Sequence, residues 1–308
     1  MDASPRSGVL VVDKPAGPTS HDVVDRVRRA LDLRRVGHTG TLDPFATGVL
    51  PVCLGKATRL ARFLGEGDKL YRATVCLGFA TTTDDSTGEP LGEPRAVGLE
   101  PGSVEAALAR LTGALEQVPP RYSAKRVGGR RLYELARRGE EGSPAPARVT
   151  VHAIALLAVE GERIEIEVRC SPGTYIRALA RDLGEGLGVG AHLSALRRLR
   201  SGAFGLEEAV AAEALGPDSW RSVIPLSGLL RQMPAVQVGS EGRSAVAHGR
   251  DLPGTLGAEG SREGPPQRVR IVGEDGELLA LAVPRGFWPS VPGLPLEPVW
   301  HPDVVLAD

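Results

Sequence analysis

Three cysteines in a chain of 308 residues, scattered at Cys53, Cys76 and Cys170, exclude a disulfide framework. Each lies in an apolar, strand-like run, so buried free thiols in a reducing compartment are expected. No apolar run approaches the ~18–20 residues of a membrane span. Met1–Arg6 has no basic stretch leading into an apolar one. The expectation is a cytoplasmic chain with no membrane attachment. Metal-ligand spacing is missing too. The six histidines (21, 38, 152, 192, 248 and 301) form no HxxxH, and no CxxC exists. Gly55-Lys56 is followed by Ala57, so the ending of a phosphate loop is absent. No GxGxxG follows a strand and no GxSxG elbow appears, which excludes dinucleotide binding and argues against a serine hydrolase. An excess of one charge is also lacking: 37 Lys and Arg face 38 Asp and Glu. A nucleic-acid enzyme with that balance must concentrate its cations locally.

What is present reads as mixed α and β. Gly8–Val12 is a short apolar strand ending at Asp13-Lys14-Pro15. Ser20 is read as the N-cap of a helix carrying Val23, Val24, Val27, Ala30 and Leu31 at helical spacing. Residues 37–47 are a loop rich in Gly, Thr and Asp. Strands are predicted at Val49–Leu54 and Tyr71–Phe79, with a short helix at 56–64 between them. Ser103 is read as the cap of a second helix. Val149–Val159 and Arg163–Cys170 alternate as a hairpin, and a helix spans Thr174–Leu187. No strict βαβ rhythm appears. The fold class is therefore α+β, a mixed and largely antiparallel sheet with flanking helices. Near 230 the composition shifts to Gly, Pro and short strands such as Arg268–Val272 and Glu277–Val283, joined by a turn at Gly273–Gly276. The expected division is a larger domain over 1–230 and a small β-rich domain over 231–308. Residues 253–266 are a Gly/Pro/Glu-rich loop, and 119–148 a long, partly mobile insertion.

The densest concentration of informative residues is Gly37-His38-Thr39-Gly40-Thr41-Leu42-Asp43-Pro44-Phe45-Ala46-Thr47-Gly48-Val49-Leu50-Pro51. Pro44 stiffens the chain beside Asp43, and glycines on both sides allow tight turns. A carboxylate held this way suits nucleophilic work. Taken alone, the residue reads more readily as the cap of a turn.

This run, continued by Val52-Cys53-Leu54-Gly55-Lys56-Ala57-Thr58-Arg59, resembles the central motif of the bacterial TruB family of transfer-RNA pseudouridine synthases. Further motifs follow in the family's order. They are Asp13-Lys14-Pro15-Ala16-Gly17, Asp68-Lys69-Leu70-Tyr71-Arg72, Pro119-Pro120-Arg121-Tyr122-Ser123-Ala124, Gly173-Thr174-Tyr175-Ile176-Arg177, and Gly190-Ala191-His192-Leu193 with Leu196-Arg197-Arg198. The resemblance spans residues 8 to 210. One departure is visible, since Lys125 and Arg126 stand where the family has any residue and then lysine. The C-terminal part resembles a small RNA-binding PUA-type domain.

The resemblance implies an isomerase that converts the T-loop uridine 55 of transfer RNA to pseudouridine after flipping it out of the stack, at a cost of a few kcal/mol. The reaction is redox-neutral, so no cofactor is implied. Asp43 matches the catalytic carboxylate, acting on the base or at the sugar C1′. Arg177 matches its cationic partner, which opposes the effect of burial on its pKa. Tyr71 matches the active-site tyrosine that stacks on uracil or moves the C5 proton, and His38 the residue that fills the vacated space. Thr41 belongs to the same RNA-facing loop. Tyr175 is a pocket wall or plain core packing, and Lys14 an RNA contact or a brace for its turn. Arg121, Lys125, Arg126, Arg130, Arg131, Arg137 and Arg138, interleaved with Tyr122 and Tyr133, make a candidate phosphate-binding set, with Arg197, Arg198 and Arg200 as a second cluster. The expected partner is the transfer-RNA T arm, bound by a monomer without guide RNA or protein partner. A chaperone role on the same RNA is a further reading.

Overall fold

The computed structural model describes residues 7–98, 100–123, 125–127, 130–131, 145–253, 266–288 and 297–307. Eight segments order side by side in the main sheet. They are Val210–Ala211, β1 (Gly8–Lys14), β3 (Thr47–Leu54), β8 (Ala191–Ser201), β4 (Lys69–Leu77), β7 (Arg163–Cys170), β6 (Ala147–Glu160) and β5 (Gly113–Gln117). A short β2 (Val36–His38) pairs with β3. Most of these pairings are antiparallel. The exceptions include the short β3–β8 contact, where Arg197 faces Thr47 and Arg198 faces Gly48 in parallel. The α+β, mixed and largely antiparallel expectation matches this architecture.

Burial explains the two kinds of strand pattern. β1 and β3 are apolar without alternation because both of their faces are covered. One face packs on Val23, Val24, Val27 and Leu31 of α1 (Ser20–Leu31). The other packs on Leu60, Leu64 and Phe204, and on Leu278, Leu281 and Val304 of the C-terminal unit. β4 alternates strictly, since its inward residues Tyr71, Ala73, Val75 and Leu77 join a third core with α2 (Ser103–Arg110) and α3 (Ile176–Gly186).

Several expected boundaries moved. Thr19 caps α1: its hydroxyl accepts from the Asp22 amide, and the Asp22 carboxylate accepts from the Thr19 amide. Ser20, read as the cap, is buried in the site described below. Gly102, not Ser103, precedes α2 in the cap position. Residues 55–65 are a 3-10 turn followed by one short helix, Ala61–Gly65. The helix predicted from Thr174 begins at Ile176. β8 was not anticipated as a strand. Cys53 and Cys170 are buried free thiols, and Cys76 is half-buried.

The chain leaves the large sheet near Leu230, whose φ is +54°. It then forms a second sheet in the order β9 (Ala235–Val238), β10 (Val269–Gly273), β11 (Leu278–Trp288), β12 (Glu297–Val305) and the edge pair Leu252–Pro253. The expected hairpin is present as β10 and β11. In the insertion, Arg126–Val127 pairs with Arg130–Arg131. Tyr133, Arg137, Arg138 and residues 254–265 lie outside the described residues.

Candidate active site

Asp43 sits on the loop between β2 and β3, where the two halves of the sheet meet. That loop is fastened from several directions. The buried Ser20 hydroxyl accepts from the Leu42 amide at 2.8 Å and donates to the Leu42 carbonyl at 3.0 Å. Gly17 N–H donates to the Pro44 carbonyl at 2.8 Å. Lys14, fully buried, donates from Nζ to the carbonyls of Pro15, Pro44 and Ala46 at 2.9, 3.0 and 2.6 Å. Of the two readings of Lys14, the brace is the one its geometry supports, because every ammonium proton has a carbonyl and no surface remains for RNA. Burial pushes its pKa down to about 8, with Asp43 opposing.

Arg177, the second residue of α3, brings its guanidinium onto Asp43. Its Nε lies 2.8 Å from Oδ2 and Nη2 donates to Oδ1 at 3.2 Å. Arg177 is itself held: Nη1 donates to the Thr83 carbonyl at 2.9 Å, Nη2 to the Tyr122 carbonyl at 2.9 Å, and Asp85 Oδ2 lies 3.4 Å from Nη1. The carboxylate of Asp85 is in turn fixed by the Thr87 amide and by the Thr83 and Thr87 hydroxyls. Burial raises the Asp43 pKa above its ordinary value; Arg177 opposes this and Asp85 adds to it. A third of the Asp43 side chain still reaches solvent, against 4% of Arg177. The carboxylate is recessed but reachable, whereas its cation is enclosed.

Tyr71 on β4 is buried, and burial raises its phenol pKa, with the Arg198 cation opposing. Arg198 is its cross-strand neighbour on β8. His38 closes β2, and its Nδ1 is buried without a hydrogen-bond partner among the described residues. Burial lowers its pKa, and Arg198 and His21 add to that. Tyr175 caps α3, exchanging hydrogen bonds between its backbone and the buried Gln117 side chain. Thr41 is exposed on the loop, and its carbonyl faces Arg198. His38, Thr41 and Asp43 thus come from one stretch of sequence, Tyr71 from a second, and Tyr175 and Arg177 from a third.

The second arginine cluster does not form a free cationic face. Arg197 makes a two-pronged pair with Asp13, at 3.1 and 2.6 Å. Arg200 pairs with Glu207 at 2.7 Å. Arg198 is 1% exposed. It donates to the carbonyls of Val49, Gly40 and Thr41 at 2.8, 3.2 and 3.5 Å. Strand alternation separates Arg197 from Arg198, and an unrecognised strand hid this. Gly48 is required opposite Arg198: its φ is +103°, and a Cβ there would lie 2.2 Å from the Arg198 carbonyl oxygen. Asp85, which sequence reasoning placed only in a polar turn, is the other residue of the site it missed. For Arg126, Arg130 and Arg131 the backbone pairing alone is described.

The family model described as TruB family pseudouridylate synthase (N terminal domain) matches residues 28–176. One described as tRNA pseudouridylate synthase B C-terminal domain matches 177–231. The tRNA pseudouridine synthase B of Symbiobacterium thermophilum is 51% identical over 250 residues, covering 80% of this chain and 83% of its own. That of Solibacter usitatus is 42% identical over 296 residues, covering 92% and 99%. Among solved structures, a chain of a Cbf5-Nop10-Gar1 complex is 29% identical with a TM-score of 0.73, covering 97% of this chain and 85% of its own. A chain of an H/ACA RNP bound to a substrate RNA containing 2'-deoxyuridine is 28% identical with a TM-score of 0.71, covering 100% and 92%.

Proposed function

The chain belongs to the TruB family of pseudouridylate synthases, and from that premise we propose that it isomerises uridine 55 in the T loop of transfer RNA, with Asp43 as the catalytic carboxylate. The observation that carries the assignment of Asp43 is the enclosed Arg177 guanidinium 2.8 Å from its carboxylate. A recessed carboxylate tends to protonate; a cation held at that distance keeps it available as an anion.

Pseudouridine formation breaks the bond from N1 to C1′, turns the base, and joins C5 to C1′. In this reading Asp43 drives the cleavage and Arg177 holds it ionised. Tyr71 receives the C5 proton. His38, half-buried and with a ring nitrogen that has no partner among the described residues, moves into the space the flipped base leaves in the T loop. Residues 1–230 form the catalytic unit, and 231–308 form a PUA-like unit that extends the RNA-binding face. Arg126, Arg130 and Arg131 of the insertion meet backbone phosphates, which compensates for the pairing of Arg197 and Arg200.

Two of the solved neighbours are chains of larger complexes, one of them a ribonucleoprotein. We propose that this chain acts alone as a monomer, without guide RNA, cofactor or protein partner. The relatives at 42% and 51% identity, named as tRNA pseudouridine synthase B, support that reading. The test is incubation of purified protein with an unmodified transfer-RNA transcript and nothing else, followed by mapping. Pseudouridine at position 55 alone is expected. Modification at another position would overturn the site assignment, and a requirement for added RNA or protein would overturn the solitary mode. Binding and refolding of the RNA without modification would leave a chaperone.

A further inference from the structure

Among the described residues, Arg198 is a buried cation with no carboxylate against it. Its guanidinium hydrogen bonds go to the carbonyls of Val49, Gly40 and Thr41, and none of the ion pairs among the described residues includes it. Taking an arginine out of water costs several kcal/mol unless an anion compensates, and neutral carbonyls compensate only in part. Four groups feel this charge: Lys14, His38 and Tyr71, which belong to the site, and Lys69. Three are bases whose pKa it lowers. The fourth is a phenol, the one group of the four that its charge would favour in ionised form. Tyr71 lies directly across from Arg198 in the β4–β8 register, with the guanidinium in hydrogen-bonding reach of its hydroxyl.

We propose that Arg198 is a positioning residue for Tyr71: it orients the phenol oxygen toward uracil C5, stabilises its anionic form, and ties it to the Gly40–Thr41 stretch just before Asp43. The proposal rests on the reading of Tyr71 given above. Tyr71 acts in the step as phenolate, its proton having passed to solvent; burial disfavours that form and Arg198 is the cation that opposes the burial. Once C5 is bonded to C1′, the C5–H bond breaks and the proton moves to the phenolate oxygen. The electron pair of that bond becomes the C5=C6 double bond, the C6=N1 pair returns to N1, and N1 takes a proton from solvent. Phosphate contact is a different role, and 1% exposure leaves Arg198 no surface for it.

The test compares the parent with Arg198→Met and Arg198→Lys in single-turnover reactions. The substrate is a transfer-RNA transcript carrying hydrogen or deuterium at uridine C5. Arg198→Met is expected to slow pseudouridine formation by about tenfold or more. RNA binding should stay unchanged, and the isotope effect should rise above the parent's, because loss of the C5 proton becomes slower relative to the other steps. Arg198→Lys, which keeps a charge but not the fork, should fall between the two in both respects. A slower reaction with the parent's isotope effect would mean general structural damage and overturn the proposal, as would an unchanged rate. Should the methionine variant not fold, the same two criteria apply to the lysine variant. A parent that forms no pseudouridine from uridine would fail the functional reading itself, whatever Arg198 does.

Discussion

In its proposed role Asp43 has to be an anion, in a place that favours its neutral form. Burial is the larger influence on its pKa and Arg177 the main opposing one. The activity should therefore lose its acid limb at a pH above the ordinary aspartate value of 3.8. Arg177→Met should move that limb higher and depress the rate at neutral pH. A single-turnover pH profile checks both; an acid limb that does not move in the variant would contradict the pairing. Linkage gives a second sign. The native pKa is raised, so the unfolded chain gives up its proton first, and the stability associated with the protonated form is lost as pH rises through the native value. Asp43→Asn should gain stability relative to the parent across that window, measured by denaturant unfolding at successive pH values. At this scale the ordered motifs made Asp43, Arg177, Tyr71 and His38 legible. Arg198 and Asp85 were not, because an arginine in an arginine-rich run reads as solvated charge and an aspartate in a polar turn reads as a cap.

Two adjacent residues at the start of α1 do different work. Thr19 closes a capping box with Asp22. Ser20 looks away from the helix and exchanges two hydrogen bonds with Leu42, next to Asp43. Thr19→Ala should cost about 1 kcal/mol of stability and leave the rate near the parent's. Ser20→Ala should cost a similar amount, about 1–2 kcal/mol, and slow the reaction several-fold, since the loop loses a fastening beside the carboxylate. Equal rates in the two variants, at matched folded fraction, would contradict that division. The start of the helix was legible from its apolar spacing, but which hydroxyl caps it depends on where the 39–46 loop returns, a contact between residues 22 apart. The same limitation hid β8. Its Leu196 and Arg198 share the buried face while Arg197 and Arg200 reach outward, and shifts in register with β4 blur the simple alternation.

The whole molecule has one more constraint. The small C-terminal sheet does not hang from a linker. Leu278, Leu281, Val304 and Leu306 share a core with Val9, Val11 and Val49 of the large sheet. At the seam Arg59 donates to the Val305 carbonyl at 2.5 Å. The Phe63 ring is met by Arg62 and Arg268 at 4.4 and 4.6 Å, and both arginines pair with Asp303. A shared core couples unfolding, so calorimetry should show one transition for the parent. Phe63→Ala should lower its midpoint, consistent with a loss of about 2–4 kcal/mol. Two well-separated transitions in the parent would contradict the coupling. The change of character near residue 230 was legible in composition. The docking was not, because apolar residues on β10–β12 look the same whether they face their own helix or another sheet. Charge balance tells a similar story: a net charge of −1 coexists with arginines such as Arg177, Arg181, Arg197 and Arg243 that are occupied by internal pairs.

The central claim is that a single carboxylate on a braced loop carries the isomerisation. Its most direct test is release of tritium from uridine C5 of a transfer-RNA transcript, in single turnover, by the parent and by Asp43→Asn, with RNA binding measured in parallel. Rapid release by the parent, and release slowed by roughly a thousandfold or more in the variant at unchanged affinity, is the expected result. Release by the variant at a rate near the parent's would contradict the account.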